Sequence, residues 1–146
     1  SLLEQHALQL SQLLFHIVNE VNVNTQEMAC EGAYKLGFPA AKVIQTVREN
    51  NASDHDVIGR LLSPACYIDQ SFPAVLYFAA RYHDDFESAL LANTKVGGDN
   101  CHRGAVLGSI LGASLGVNAI PKRWITGLTA YAELDKEIEA FVALYA

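Results

Sequence analysis

The segment FPAVLYFAARYHDDFESALLANTKVGGDNCHRGAVLGSILGASLG, residues 72–116, decides the fold. It predicts three consecutive helices, which are separated by the polar sequence HDD and then by GGD. Pro73 suits the first turn of the first helix, where the missing N–H has no intrahelical partner. Asp84 is the candidate N-cap of the second helix, Gly97–Gly98 ends that helix, and Asp99 caps the third.

Further amphipathic helices are predicted on both sides of this segment. Apolar residues recur at three- and four-residue steps over residues 3–21, and a break at 22–24 precedes Thr25, a candidate N-cap. Residues 133–146 predict a final amphipathic helix that covers a core or a partner surface. No segment alternates apolar and polar residues as half-buried strands do. The sequence therefore predicts an all-α chain that forms a single domain over residues 1–146.

The composition excludes several classes of protein. With 51% hydrophobic residues, the chain is too apolar to be disordered. The net charge of −6 and the absence of a Lys/Arg cluster argue against nucleic acid as a partner. The three cysteines form neither a CxxC nor a zinc-binding pattern, which predicts a reducing, cytoplasmic location.

Glycine recurs at every fourth position of the third helix, at Gly104, Gly108, Gly112 and Gly116. Each glycine costs about 1 kcal/mol of helix propensity relative to alanine, so close approach of a neighbouring helix is expected to offset the loss. The uncharged run over residues 104–121 also raises the alternative of a membrane helix. Because polar residues interrupt that run, a buried central helix and no membrane contact is the prediction.

The segment VGGDNCHRG, residues 96–104, is the candidate functional site. Two glycines allow the backbone to turn sharply and a ligand to approach it, and a helix N-terminus favours an anion. Asp99 is the candidate metal ligand, and the candidate ligand-binding residues are Gly97, Gly98, Asn100 and His102. His102 follows Asp99 by three residues, so the two can face each other across a turn. The alternative is purely structural: the glycines end a helix, Asp99 caps the next one and Arg103 is a solvated charge.

Two other residues near this segment invite a chemical role. Cys101, at a helix N-terminus, is a candidate nucleophile, but adjacent helical residues diverge by about 100° and make His102 a poor base for it. Trp124 is interpreted as a core or edge anchor, with the wall of an adenine-binding cleft as the alternative.

Residues 67–128 resemble the C-terminal part of the ADP-ribosylglycohydrolase family, which includes the DraG-type enzymes and the J1 crystallins. The resemblance rests on SFPAVLYFAARYHDDFESALLANTKVGGD, then RGAVLGSILGASLG, then IPKRWITGL, in this order and spacing. The upstream segment TQEMACEGAYKLGF looks like the helices that precede this block in the family.

The resemblance implies a compact, orthogonal all-α domain, here truncated at its N-terminus, with a two-metal site that holds magnesium or manganese. Family members hydrolyse the glycosidic bond between ADP-ribose and an acceptor, so ADP-ribose or an ADP-ribosylated substrate is the implied partner. The late metal motif of the family is Gly-Gly-Asp-x-Asp-Ser/Thr. Asp99 matches its first aspartate, whereas Cys101 and His102 stand where the second aspartate and the hydroxyl residue are expected.

The early Thr-Asp-Asp motif of the family does not occur in this sequence. Two hypotheses follow for the function. In the first, the chain is the late portion of a metal-dependent hydrolase and is inactive alone, with an N-terminal segment as its missing partner. In the second, it is a non-catalytic, crystallin-like structural or ligand-binding module that associates with itself or with another chain. No catalytic residue is assigned in either.

Overall fold

The computed structural model describes residues 1–20 and 23–144. Within these ranges the regular structure is helical, without β-strands, which confirms the all-α prediction. The helices are α1 (Leu2–Asn19), α2 (Thr25–Lys35), α3 (Ala40–Asn50), α4 (Asp54–Leu61), α5 (Ile68–Arg81), α6 (Phe86–Val96), α7 (Asn100–Leu115), α8 (Lys122–Thr126) and α9 (Tyr131–Val142). The extent of the domain, residues 1–146, stays a prediction. Val21, Tyr145 and Ala146, which were predicted to be helical, and Asn22, which was predicted to lie in the break after the first helix, are outside the described residues.

Helix α5 is the centre of the core. Every residue from Phe72 to Ala80 is buried, and the helix contacts α1, α2, α3, α6 and α7. Because α5 is apolar on nearly all sides, it can be stable only when other helices surround it. The helix begins at Ile68, so Pro73 lies beyond the first turn in which it was expected. The Asp69 carbonyl, four residues earlier, belongs to an exposed residue, so water can replace the missing hydrogen bond.

Helix α7 packs against α5, α6 and α1 through Leu107, Ile110 and Leu111, which are fully buried. Its glycine face meets α6, but the expected close approach is confined to Gly104. A Cβ there would lie 3.3 Å from Asn93 Nδ2, whereas one at Gly108 or Gly112 would lie 4.0 Å from the Phe86 ring. A side chain at Gly108 or Gly112 would therefore make only ordinary van der Waals contact, and Gly116, with a φ angle of 78°, is the C-cap of α7.

Two of the predicted N-caps are wrong, and a third is in its predicted place without a capping hydrogen bond. Asn24, not Thr25, caps α2, because the Thr25 hydroxyl is hydrogen-bonded to Ser114 Oγ of α7 at 2.6 Å. Asp85, not Asp84, caps α6 by accepting a hydrogen bond from the Ser88 backbone N–H. Asp99 occupies the N-cap position of α7, as predicted, but its side chain accepts no hydrogen bond from a backbone N–H of the helix.

Helix α9 contributes no buried residue, so of its two predicted roles the covering of the core is not observed, and the covering of a partner surface stays a prediction. Its Leu134 and Ile138 side chains, 42% and 60% exposed, form one wall of an open apolar cleft instead. The cleft measures about 690 Å³, and α6, α7 and α8 form its other walls. No helix in the described ranges combines the length and the apolarity needed to cross a membrane.

Candidate functional site

The candidate site begins with a glycine turn between α6 and α7. Gly97 and Gly98 have φ angles of 77° and 65°, a region that residues with a side chain rarely adopt. A Cβ at Gly98 would overlap the carbonyl of Pro64, which lies in the connection between α4 and α5. The Asp99 backbone N–H donates to the same Pro64 oxygen at 2.9 Å. The turn is therefore seated directly on the α4–α5 connection.

Arg103 is buried, which contradicts its interpretation as a solvated charge. Its residue is 1% exposed, and each of its three nitrogens donates a hydrogen bond. Nε donates to Asn93 Oδ1 at 2.9 Å, Nη1 to the Pro64 oxygen at 3.0 Å, and Nη2 to the Gly97 oxygen at 2.5 Å. Burial lowers the pKa of Arg103, and the negative charge of Asp99 opposes that shift. We call Arg103 with Asn93, Pro64 and Gly97 the Arg103 clamp.

The sequence contained a signal for this burial. Arg103 precedes Leu107 and Leu111 by four and eight residues, which places it on the buried face of α7. An arginine in such a position is buried only where acceptors surround its guanidinium group. The acceptors come from residues 39, 10 and 6 positions earlier in the chain, and their convergence depends on the tertiary structure.

Asp99 and His102 face each other across the first turn of α7, as their spacing predicted. His102 Nδ1 lies 2.6 Å from Asp99 Oδ1. The Asp99 side chain is 22% exposed, whereas that of His102 is 85% exposed. The carboxylate therefore lies partly below the surface, and the imidazole stands at the rim, where a ligand can reach both.

Asn100 and Cys101 complete the loop with different environments. The Asn100 carbonyl accepts a hydrogen bond from Asn93 Nδ2 at 2.9 Å, so Asn93 holds both the loop and Arg103. The exposed Cys101 thiol donates to Asn100 Oδ1 at 3.6 Å. Because the His102 imidazole is paired with Asp99 and not with this thiol, the geometry does not provide Cys101 with a general base.

A second polar cluster joins α4 to α5. Asp54, at the start of α4, accepts hydrogen bonds from the hydroxyls of Tyr77 and Tyr82 and forms an ion pair with Arg81 at 3.1 Å. Burial raises the pKa of Tyr82 to about 12, and the hydrogen bond to Asp54 adds to this shift. The cluster therefore joins the start of α4 to the C-terminal part of α5.

The donor set around Asp99 does not fit a two-magnesium centre. Mg²⁺ prefers an octahedral shell of oxygen atoms, and thiol and imidazole ligands suit softer metals. Here one carboxylate stands beside an imidazole and a thiol, and no group of three or more His, Cys, Asp or Glu side chains that could hold a metal is present in the described ranges.

Trp124 is one of the residues that line the apolar cleft. Its ring centroid is 6.3 Å from that of Phe86, and the Arg123 guanidinium lies 5.7 Å from its centroid. Gly104 and Gly108 form part of the same cleft. The contact with Phe86 agrees with the interpretation of Trp124 as an edge anchor, and the adenine-binding alternative stays a prediction.

Comparison with known proteins identifies the family of the chain. The sequence matches the model of the ADP-ribosylglycohydrolase family over residues 3–146. Over 84 residues it is 33% identical to the ADP-ribosyl-[dinitrogen reductase] glycohydrolase of Rhodospirillum rubrum, an alignment that covers 55% of this chain and 28% of that protein. The aligned part is thus little more than a quarter of that relative's length, and no solved structure gives a significant match. The helical fold, the Gly-Gly-Asp turn and the family match agree: the chain belongs to the ADP-ribosylglycohydrolase family.

Proposed function

We propose that the chain provides one side of an ADP-ribose site in a protein that hydrolyses an ADP-ribose glycosidic bond. The observation that carries this proposal is the preformed turn at the start of α7, with the Asp99–His102 pair at its rim. Family membership supports the class of ligand. In this proposal Gly97, Gly98, Asn100 and His102 contact the ligand.

The chemistry of the turn suits the ribose hydroxyls and the phosphates of ADP-ribose. A carboxylate accepts hydrogen bonds from ribose hydroxyls, and the neighbouring imidazole can donate or accept according to its tautomer. The N-terminus of a 16-residue helix carries a partial positive charge that favours a phosphate. At Gly97, where nothing lies within 4 Å of the Cβ position, the absence of a side chain allows a ligand to approach the backbone closely, whereas at Gly98 that space is occupied by Pro64.

We further propose that this chain alone does not hydrolyse the bond. Glycoside hydrolysis generally needs two carboxyl groups on opposite sides of the scissile bond. Among the described residues of the loop between α6 and α7, Asp99 is the single carboxylate, and Asp54 is occupied by two tyrosines and Arg81. Binding of magnesium or manganese at Asp99 stays a prediction, and no reaction step here depends on it.

Calorimetric titration with ADP-ribose tests the binding part of the proposal. The wild-type chain is titrated in Mg²⁺, in Mn²⁺ and in a chelator, beside Asp99→Ala and the matched control Asp84→Ala, which removes an exposed carboxylate elsewhere. We expect binding by the wild type and by Asp84→Ala, and at least a tenfold loss in Asp99→Ala, because a hydrogen bond to a charged group contributes about 1.5–3 kcal/mol. Absence of ADP-ribose binding under all three conditions would refute the proposal.

A release assay tests the catalytic part. The chain is incubated with an ADP-ribosylated protein, and free ADP-ribose is measured by chromatography. We expect no release above the buffer rate with either metal. Release that disappears in Asp99→Ala would show that the chain is active alone, contrary to the proposal.

The second candidate function is an interaction module. It is favoured by the apolar side chains that α9 leaves exposed, among them Leu134, Ile138 and Val142. Self-association through this face predicts a dimer in analytical ultracentrifugation that Ile138→Glu converts to a monomer. Because the cysteines in the described ranges are all free, we place either function in the reducing cytoplasm.

A further inference from the structure

We propose that Arg103 is a positioning residue, which orders the Gly97–Asp99 turn through hydrogen bonds of the chain itself. The effect of Arg103 on ligand binding rests on the proposed ADP-ribose site, whereas its effect on the order of the turn does not. The Arg103 guanidinium group is unusual because it is almost completely buried and donates only to neutral acceptors.

The acceptors of Arg103 show what it holds. The Gly97 oxygen belongs to the turn itself, and the Pro64 oxygen belongs to the surface on which the turn sits. The same Pro64 oxygen accepts the Asp99 backbone N–H, so Arg103 and Asp99 are attached to one atom. Asn93, the third partner, also donates to the Asn100 carbonyl on the other side of Asp99. The backbone of Asp99 is therefore restrained from both directions.

The energetic balance argues that this arrangement has a role beyond filling space. Burial of a charged group is unfavourable, and replacement of a buried charge by a well-packed apolar residue is often neutral or stabilising. An arginine here contributes what an apolar residue cannot, a planar set of donors that fixes three acceptors at once. The acceptors lie on the turn, on the α4–α5 connection and on α6, so the guanidinium group fixes their relative positions.

Amide hydrogen exchange, followed by NMR on the labelled chain without ADP-ribose, tests the positioning role. The variant is Arg103→Gln, and the control is Ile44→Val, a buried substitution in α3 that lowers global stability without touching the turn. The reporter is the Asp99 amide, which donates to Pro64, and the reference is the Leu76 amide in the centre of α5.

We expect Arg103→Gln to accelerate exchange at Asp99 at least tenfold more than at Leu76, because the guanidinium group no longer links the Gly97 oxygen of the turn to Pro64 and Asn93. Ile44→Val is expected to change the two amides by the same factor or to leave both unchanged. In the wild type, Asp99 exchange is expected to be the same in Mg²⁺ and in a chelator. Equal acceleration at both amides in Arg103→Gln would show a merely structural role and overturn the proposal.

Two further variants keep the test decisive if Arg103→Gln does not fold. Arg103→Lys retains the charge but replaces the planar group of donors by a single ammonium, so it is expected to give the same local acceleration. Gly98→Ala leaves the buried charge in place and forces the turn away from Pro64. If Arg103→Lys folds and Asp99 keeps its wild-type exchange rate, the clamp does not order the turn. Gly98→Ala is the positive control, which shows that the Asp99 amide responds when the turn is displaced from Pro64.

Titration with ADP-ribose separates this inference from the proposed function. If the wild type binds, the variants with fast Asp99 exchange are expected to bind at least tenfold more weakly, while Ile44→Val binds normally. If the wild type does not bind but the exchange results hold, the ADP-ribose site is refuted and the positioning role of Arg103 stands.

Discussion

Substitution of glycine by alanine is expected to raise the free energy of unfolding at Gly108 and to lower it at Gly98. Alanine at Gly108 gains about 1 kcal/mol of helix propensity, and its Cβ would meet the Phe86 ring at 4.0 Å, an ordinary contact distance. Alanine at Gly98 has to adopt a positive φ, which costs about 1–2 kcal/mol, and its Cβ would also overlap the Pro64 carbonyl. The free energy of unfolding should therefore rise in the first variant and fall by more than 1 kcal/mol in the second.

Gly104 gives an intermediate case that tests the same reasoning. A Cβ there would lie 3.3 Å from Asn93 Nδ2, a contact that is acceptable only if Asn93 moves. Asn93 is 1% exposed and is held by hydrogen bonds to Asn100 and Arg103, so it is not free to move. The propensity gain should be cancelled, and Gly104→Ala should be no more stable than the wild type.

Urea denaturation followed by circular dichroism measures all three variants, and thermal melts provide an independent comparison. A gain of 1 kcal/mol corresponds to a rise in Tm of about 2–4 °C for a chain of this size. The m-values should match the wild type, because none of the substitutions changes the surface exposed on unfolding. Loss of stability in Gly108→Ala would refute the reasoning, since it would mean that α6 packs against this glycine more tightly than a methyl group permits.

Three further predictions concern the core and two titratable side chains outside the site, Tyr82 and Asp85. Leu76→Ala, in the fully buried part of α5, should lower the free energy of unfolding by about 2–5 kcal/mol in urea titrations. Because the pKa of Tyr82 is raised from 10.0 to about 12 in the folded chain, the stability that Tyr82 contributes is fully present below pH 10.0 and is lost as the pH rises towards about 12. The urea midpoint should therefore fall less steeply with alkaline pH in Tyr82→Phe than in the wild type. Hydrogen bonds from the Ser88 backbone and hydroxyl lower the pKa of Asp85 below its ordinary value of 3.8. The wild type should therefore have a free energy of unfolding about 1 kcal/mol higher than that of Asp85→Ala, the usual contribution of an N-cap, at pH values above 3.8. This difference should disappear as the pH falls through the lowered pKa.

The order of the helices was predictable because their boundaries are encoded locally. Gly97–Gly98 ends α6 in positive φ angles that few other residues adopt, and the apolar run of α5 has no plausible place but a core. The N-caps were less predictable. Asp84 and Asp85 are equally suitable acceptors by residue type, and only the path of the chain after α5 selects the second.

The prediction failed where a side chain finds its partner far away in the sequence. Thr25 is a good N-cap by type, but Ser114, 89 residues later, takes its hydroxyl. Arg103 is charged, and charge favours the surface unless acceptors are available inside. Those acceptors include the Pro64 carbonyl, whose position depends on how α4 and α5 pack. Distant contacts of this kind are tertiary information, and a local pattern does not contain them.

Asn93 explains why the candidate site and the packing of α6 against α7 are one structural feature. Its amide donates to the Asn100 carbonyl and accepts from Arg103, and the same amide nitrogen occupies the space beside Gly104. The closest contact along the glycine stripe thus falls at the end of α7 that carries Asp99, while Gly108 and Gly112 leave more room. At Gly104 the small residue therefore allows α6 to bring Asn93 into the clamp. A turn ordered in this way presents Asp99 at a fixed position before any ligand arrives, which reduces the entropy that binding would otherwise lose.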